Sequence, residues 1–218
     1  MKKLIHFIKE WLFPAKCILC RELLDQEETD LCRRCRSETD EYPQEKLKVP
    51  FIDSVAAVWY YKGNVRHCLL RYKFHRSRYL AEPLGRMMAM KVLSGPAEQV
   101  DLVTWVPISP LRRFVRGYDQ DELLAKVVAA ELEIPCVALL KKTRHNQPQS
   151  GIEGYAKRRA NVLGVYRCDN PDRISGAKVL LVDDILTTGA TASECARILL
   201  TAGAKEVHCA VAASAHHK

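Results

Sequence analysis

Two groups of residues in this 218-residue chain have types and spacings that could do chemistry. The first is Asp183-Asp184, which follows the apolar run Val179-Leu180-Leu181-Val182 and precedes the turn Thr187-Thr188-Gly189-Ala190-Thr191. A short apolar run with two β-branched residues reads as a strand buried on both faces. Two charges at the end of such a strand are costly unless something there needs them. Ala192 to Ala202 has helical apolar spacing, and Gly203 stands where a helix stops. Amides and hydroxyls of Thr187 to Thr191, at the positive end of that helix, can surround a phosphate. Gly189 and Ala190 let the backbone come close, and the two carboxylates can accept hydrogen bonds from vicinal hydroxyls. The ligand implied carries a phosphate beside a diol, as a ribose 5-phosphate does.

Three rival readings of this segment fit less well. A receiver domain also puts paired aspartates after a strand, but near its start, and here only 34 residues follow Asp184. A nucleotide hydrolase needs a Gly-x4-Gly-Lys-Ser/Thr loop, and the dipeptide Gly-Lys is absent from the sequence. A capping box, Thr191-x-x-Glu194, accounts for the threonines but not for adjacent aspartates on a buried strand end.

The second group is Cys17, Cys20, Cys32 and Cys35, a Cys-x2-Cys pair, an eleven-residue spacer and a second Cys-x2-Cys pair. Each pair can present two thiolates to one tetrahedral ion, so the four define a closed zinc site. A redox pair or a disulfide set is the competing reading. Four sulfurs leave no open position for water, so the zinc is expected to be structural rather than catalytic. It would supply most of the module's stability, on the order of 10–16 kcal/mol in small fingers. The other five cysteines are scattered through apolar or mixed segments, as buried small hydrophobes in a reducing compartment are.

The elements that must position these groups alternate. Strand-like runs fall at Ser54–Tyr60, Leu102–Val106, Cys136–Leu140, Val179–Val182 and Val207–Ala212. Helical runs lie between them at about Arg66–Tyr72, Leu80–Leu93, Gln120–Leu132 and Ala192–Ala202. Such alternation implies an α/β fold with a mostly parallel twisted sheet flanked by helices. Ligands of such sheets sit beyond the carboxyl ends of the strands, where the Asp183–Thr191 turn falls. The polar stretch Thr39 to Pro50 reads as a linker, dividing a cysteine module at 1–48 from a main domain at 49–218.

Near the start, Leu4, Ile5, Phe7, Ile8, Trp11 and Leu12 share one face of a helix that ends before Pro14. That face either packs on the protein or docks peripherally on a membrane. No apolar stretch reaches the length of a membrane span. Lys9 and Glu10 interrupt what could have been a secretory signal, so a cytoplasmic location is expected.

Formal charge is +8 and unevenly placed. Residues 1–50 carry ten basic and ten acidic residues, which leaves the whole excess to the remainder. Lys62 to Lys91 holds eight basic residues (Lys62, Arg66, Arg71, Lys73, Arg76, Arg78, Arg86 and Lys91) against Glu82. Such a surface suits phosphorylated ligands or a nucleic-acid backbone, with a solvated basic face as the plainer alternative.

The stretch "VLLVDDILTTGAT" resembles the 5-phosphoribosyl 1-pyrophosphate (PRPP) binding signature of type I phosphoribosyltransferases. The chain as a whole resembles the competence-associated ComF family. That likeness runs from the four-cysteine module through "YKGNVRHCLLRYKFH", "VPISPLRRFVRGYDQ" and "RHNQPQSGIEGYAKRRANV" to the PRPP signature. One departure is Asp119 in "RGYDQ", where the family has asparagine. The resemblance implies a type I phosphoribosyltransferase fold that binds PRPP with magnesium and serves DNA uptake in natural transformation. Nucleic acid, a competence helicase or another DNA-processing protein are the partners it implies.

In that reading Asp183 and Asp184 hold the ribose and Thr187, Thr188, Gly189, Ala190 and Thr191 take its phosphate. Arg112, Arg113 and Arg116 meet the pyrophosphate, and Lys142 and Arg144 belong to a lid-like segment beginning "KKTRHNQPQSGIEGYAKRR". Plainer readings are an exposed basic helix start and an ordinary surface loop. The implied reaction displaces pyrophosphate from C1 of the ribose. The alternative is a binding-only protein that senses PRPP or partners DNA processing.

Overall fold

Val179, Leu180, Leu181 and Val182 are fully buried and alternate between two apolar layers, as a strand covered on both faces must. The computed structural model describes residues 14–43, 47–95, 97, 99–143 and 160–215. The run Leu4 to Leu12, Arg144 and the lid-like residues up to 159 lie outside them. In chain order the described elements begin with α1 (Arg33–Glu38), β1 (Ser54–Tyr60), α2 (Gly63–Phe74), α3 (Ala81–Leu93) and β2 (Leu102–Trp105). They continue with α4 (Pro110–Arg116), α5 (Gln120–Glu131), β3 (Leu140–Lys142) and β4 (Tyr166–Cys168). Last come β5 (Lys178–Leu186), α6 (Ala190–Thr201) and β6 (Glu206–Ser214).

Four strands form a parallel sheet in the order β1-β6-β5-β2. One face carries α2, α3 and α5 together with the cysteine module, and the other carries α6 and the β3–β4 hairpin. Helices α3 and α5 pack closely enough to need a glycine, since a Cβ on Gly85 would lie 2.6 Å from that of Val127. This is the expected α/β architecture, a parallel sheet flanked by helices with a small N-terminal cysteine module.

Three local expectations change. Strand β5 does not end before the aspartates but runs through them to Leu186, paired on one side with β6. The expected strand Cys136–Leu140 is reduced to a single parallel bridge, Cys136 to Val103, because the chain then leaves the sheet to form the antiparallel β3–β4 hairpin. The linker does not run free throughout: Tyr42 N donates to Val58 O at 2.9 Å and Glu41 bridges Trp59, so this segment covers the outer edge of β1.

The four cysteines lie in two knuckles, Cys17–Cys20 in a turn and Cys32–Cys35 at the start of α1, where Cys32 Sγ accepts from Cys35 N at 3.4 Å. Their sulfurs all lie within 4.8 Å of one another, with Cys20 and Cys32 3.6 Å apart. Zn–S bonds of about 2.3 Å in a tetrahedron require sulfurs about 3.8 Å apart, so the set fits a structural zinc. Beneath it, Ile18, Leu19 and Leu31 join the same buried cluster as Leu69, Leu84 and Met88. Arg71 of α2 donates to the carbonyls of Ile18 and Leu19, and Arg86 of α3 makes two bonds to Asp30 at 2.9 and 3.1 Å.

In the basic stretch Lys62 to Lys91, Arg71, Lys73, Arg86 and Lys91 are partly buried, and Lys62, Arg66, Arg76 and Arg78 are exposed. Six of its eight cations have internal partners: Lys62 with Asp40, Arg71 and Arg86 with the zinc module, Lys73 with Asp184, Arg78 with Gly117 O, and Lys91 with Glu41. Because the module shares a core with α2 and α3, elemental analysis should find about one zinc per chain. Cys35→Ser should remove it and lower the melting temperature by roughly 6–12 °C, the equivalent of about 3 kcal/mol at 2–4 °C for each.

Candidate functional site

The crevice begins where the sheet loses a strand. The β2 register ends with Trp105 opposite Val182, so beyond that point β5 continues with β6 alone. A cavity of about 530 Å³ opens there, at the carboxyl ends of the strands as expected for an open α/β sheet.

Alternation along β5 turns Asp183 toward the layer of Val179 and Leu181, and Asp184 toward that of Leu180 and Val182. Asp183 is half-buried and its Oδ1 accepts from Asp184 N at 2.9 Å. Asp184 is 3% exposed and pairs with Lys73 of α2, Nζ to Oδ1 at 2.9 Å. Asp121, from the first turn of α5, completes the group, and one oxygen from each of the three carboxylates lies within 4.8 Å of the others. Desolvation, and then the neighbouring Asp184 charge, push the Asp183 carboxyl up to about 7. Desolvation and the same neighbours hold the Asp121 carboxyl well above the usual range. Desolvation works against the Lys73 ammonium, yet the attraction of Asp184 holds it above an ordinary lysine.

The start of α5 is fixed by Asp119. Its Oδ1 accepts from Asp121 N and Glu122 N at 3.1 and 3.3 Å, and its Oδ2 takes Ile108 N at 3.2 Å. This N-cap ties the helix to the loop after β2 and delivers Gln120 and Asp121 into the cavity. That is the role of Asp119 in this chain.

Cations line the same cavity. Arg112 and Arg116 of α4 line the cavity, Arg116 donating to Gln120 Oε1 at 2.7 Å and lying over the Phe74 ring. Lys142, at the end of β3, is 7% exposed and sits 3.4 Å from the Tyr166 hydroxyl. Burial, and then the Arg112 charge, bring the Lys142 ammonium down to about 8. Burial and the Arg116 charge likewise lower Arg112. Arg113 is elsewhere: it pairs with Glu122 at 3.1 Å on the outer side of α4 and does not line the cavity.

The turn Thr187-Thr188-Gly189 leads from β5 into α6. Gly189 caps that helix with φ +73°, and a Cβ there would meet Val49 Cγ1 at 3.0 Å, so the turn needs glycine. Thr191 stands at the second helical position and not at the cap, which removes the premise of a simple capping box. Thr187, Thr188, Gly189, Ala190 and Thr191 all line the cavity.

Asp121, Lys73, Gln120 and Tyr166 enter the site without having been singled out in the sequence. Asp121 reads as an ordinary first-turn acid of a helix, and Lys73 as one of many surface cations. The succession Asp119-Gln120-Asp121-Glu122 was the one signal available.

Comparison with known proteins gives the class first. Residues 122–218 match the family described as Phosphoribosyl transferase domain, and residues 8–47 match the Double zinc ribbon domain. The chain therefore carries a region similar to phosphoribosyl transferase domains and, on its N-terminal side, one similar to a double zinc ribbon. Competence protein F of Haemophilus influenzae is 26% identical over 221 residues, covering 89% of this chain and 95% of its own length. DNA utilization protein YhgH of Escherichia coli is 26% identical over 217 residues, covering 89% and 94%. Competence protein ComFC of Streptococcus pneumoniae is 29% identical over 156 residues, covering 69% and 64%. Over most of its length the chain is thus similar to proteins named for competence and DNA utilization. Among solved structures, the allosteric regulatory enzyme of purine biosynthesis overlaps 65% of this chain and 29% of its own. At a TM-score of 0.43 and 24% identity, that likeness has no bearing on the site.

Three carboxylates crowded at one point destabilise the fold that holds them. Asp121→Asn should raise the melting temperature of the zinc-loaded protein, without added magnesium, by roughly 2–4 °C, the shift of about 1 kcal/mol. Calorimetry checks this.

Proposed function

We propose that the cavity binds PRPP together with magnesium and that the protein transfers 5-phosphoribose, releasing pyrophosphate. The observation that carries this reading is that Arg112, Arg116 and Lys142 line one cavity with Asp183, Asp184 and a glycine-capped helix start. Amides of Thr188 to Thr191 and the threonine hydroxyls would take the 5-phosphate. Asp183 and Asp184 would accept hydrogen bonds from the ribose hydroxyls and face the positive charge that builds on the ring. Arg112, Arg116 and Lys142 would hold the leaving pyrophosphate, guanidinium forks matching phosphate oxygens. The carboxylates are hard oxygen donors suited to magnesium, which when bound neutralises the leaving group. No covalent nucleophile is needed, and the chain's contribution is positioning and electrostatics. Val106, Pro107, Ile108 and Val162 give the cavity apolar walls that exclude water from the ring.

The names of the relatives supply the setting: competence and DNA utilization. We place the protein in the cytoplasm, where nine free cysteines remain reduced. Among the described residues, no helix is long and apolar enough to cross a membrane. A second reading, PRPP sensing coupled to nucleic acid without transfer, is favoured by α4. Its Phe114 is 86% exposed beside Arg113, a pairing that can stack a base and hold a phosphate.

One assay separates the two: pyrophosphate release from PRPP and magnesium, with and without bases, nucleosides or single-stranded DNA. Acceptor-dependent release supports transfer, and saturable binding without release supports sensing. No calorimetric binding of PRPP at all removes both. Asp183→Asn should weaken PRPP by about 1.5–3 kcal/mol, the range for hydrogen bonds to charged groups.

Burial lowers the Lys142 pKa, so its charge is complete below about 8 and lost above it. Pyrophosphate affinity should therefore fall on the order of tenfold as pH rises through that value. Lys142→Arg should abolish the fall, because guanidinium stays charged throughout. A titration of affinity against pH with both proteins reads the difference.

A further inference from the structure

Asp121 belongs to none of the roles given to PRPP above, yet it is 2% exposed, lines the cavity and shares the acidic cluster with Asp183 and Asp184. Its Oδ1 is buried with no hydrogen-bond partner, and so is Oδ2 of Asp184. A buried carboxylate oxygen without a donor is expensive, so natural structures rarely leave one without a purpose. Neighbouring donors that could have served are committed elsewhere. The Tyr72 hydroxyl donates to Gln120 O at 2.6 Å, and that of Tyr118 donates to Tyr72 O. Gln120 Nε2 reaches only the other oxygen of Asp121, at 3.4 Å.

The formal charges point the same way. Three carboxylates converge where Lys73 pairs with Asp184 alone, so like charge is crowded at one point. A divalent cation carries the opposite charge, and its ligand distances suit oxygens that converge from three side chains. All the donors are hard oxygens, which favours magnesium or manganese over zinc, whereas the thiolate set of the ribbon favours zinc. The cluster opens into the cavity, so water can fill the remaining positions of an octahedron.

We infer that Asp121, Asp183 and Asp184 form a protein-held site for a divalent cation of the magnesium or manganese type, filled without any help from PRPP. This goes beyond the sugar-phosphate reading and does not rest on it. Asp121 is the discriminating ligand, because it comes from α5 and not from the strand that carries the acidic pair.

The test uses the full-length, zinc-loaded chain with no PRPP present. Manganese is titrated and the free ion followed by electron paramagnetic resonance, with magnesium as competitor. The expected result is one saturable manganese site that magnesium displaces. Asp121→Asn should weaken it on the order of 10–100-fold, the range that loss of even an outer-shell partner costs, with zinc content unchanged. Asp183→Asn is the second variant, read the same way if the first fails to fold. A titration without saturation, or wild-type affinity in a folded variant, overturns the inference. PRPP calorimetry in parallel keeps the two readings apart. Sugar-phosphate binding by a protein with no manganese site leaves the earlier reading standing alone, and a manganese site without PRPP binding does the reverse.

Discussion

The mismatch in length between two neighbouring strands governs this molecule. β2 has four residues and β5 has nine, and their register stops at Trp105 and Val182. From Asp183 onward one side of β5 has no strand against it. Polar side chains that would be intolerable inside a parallel sheet can exist there, because they border a cavity instead of a packed neighbour. β6 still holds the other side, with Asp183 opposite Val211 and Ile185 opposite Ala213, so the acids are rigidly placed. The crevice is thus a consequence of sheet termination and not of a mobile surface.

Charge in the cavity is divided by the same geometry. The acids come from β5 and α5, and the cations from α4 and the β3–β4 hairpin. Each side is electrostatically uncomfortable by itself. Lys142 and Arg112 are pressed toward neutrality, and Asp121 and Asp183 toward protonation. A fold that concentrates like charges within one cavity gives up stability there, as functional sites commonly do. Asp119, also buried, is different: its three backbone donors make it a structural cap, and the site residue is its neighbour but one.

The zinc ribbon contributes at a distance. It lies against α2 and α3, and α2 carries Lys73 to Asp184. Arg71, two positions before Lys73, is the residue that grips the ribbon's carbonyls. One turn of α2 therefore joins the metal module to the acidic cluster, which gives a physical reason for the two to share a chain.

Patterns confined to a few consecutive residues were legible in the sequence. Four cysteines in two close pairs admit few arrangements, and an apolar run followed by Asp183-Asp184 and a glycine turn specifies a strand, a turn and a helix. The alternation of elements gave the fold class for the same reason, since burial on both faces writes itself into composition. Tertiary structure alone decided which distant residues meet. Asp121 and Lys73 lie 62 and 110 positions before Asp183, and no local periodicity couples them to it. It also decided which cations are spent inward, placing Arg71 and Arg86 on the ribbon, Arg113 on Glu122, and Arg112 and Arg116 at the cavity. A sequence fixes what each side chain can donate or accept, but only the packing of helices on a sheet sets the distances over which charges act.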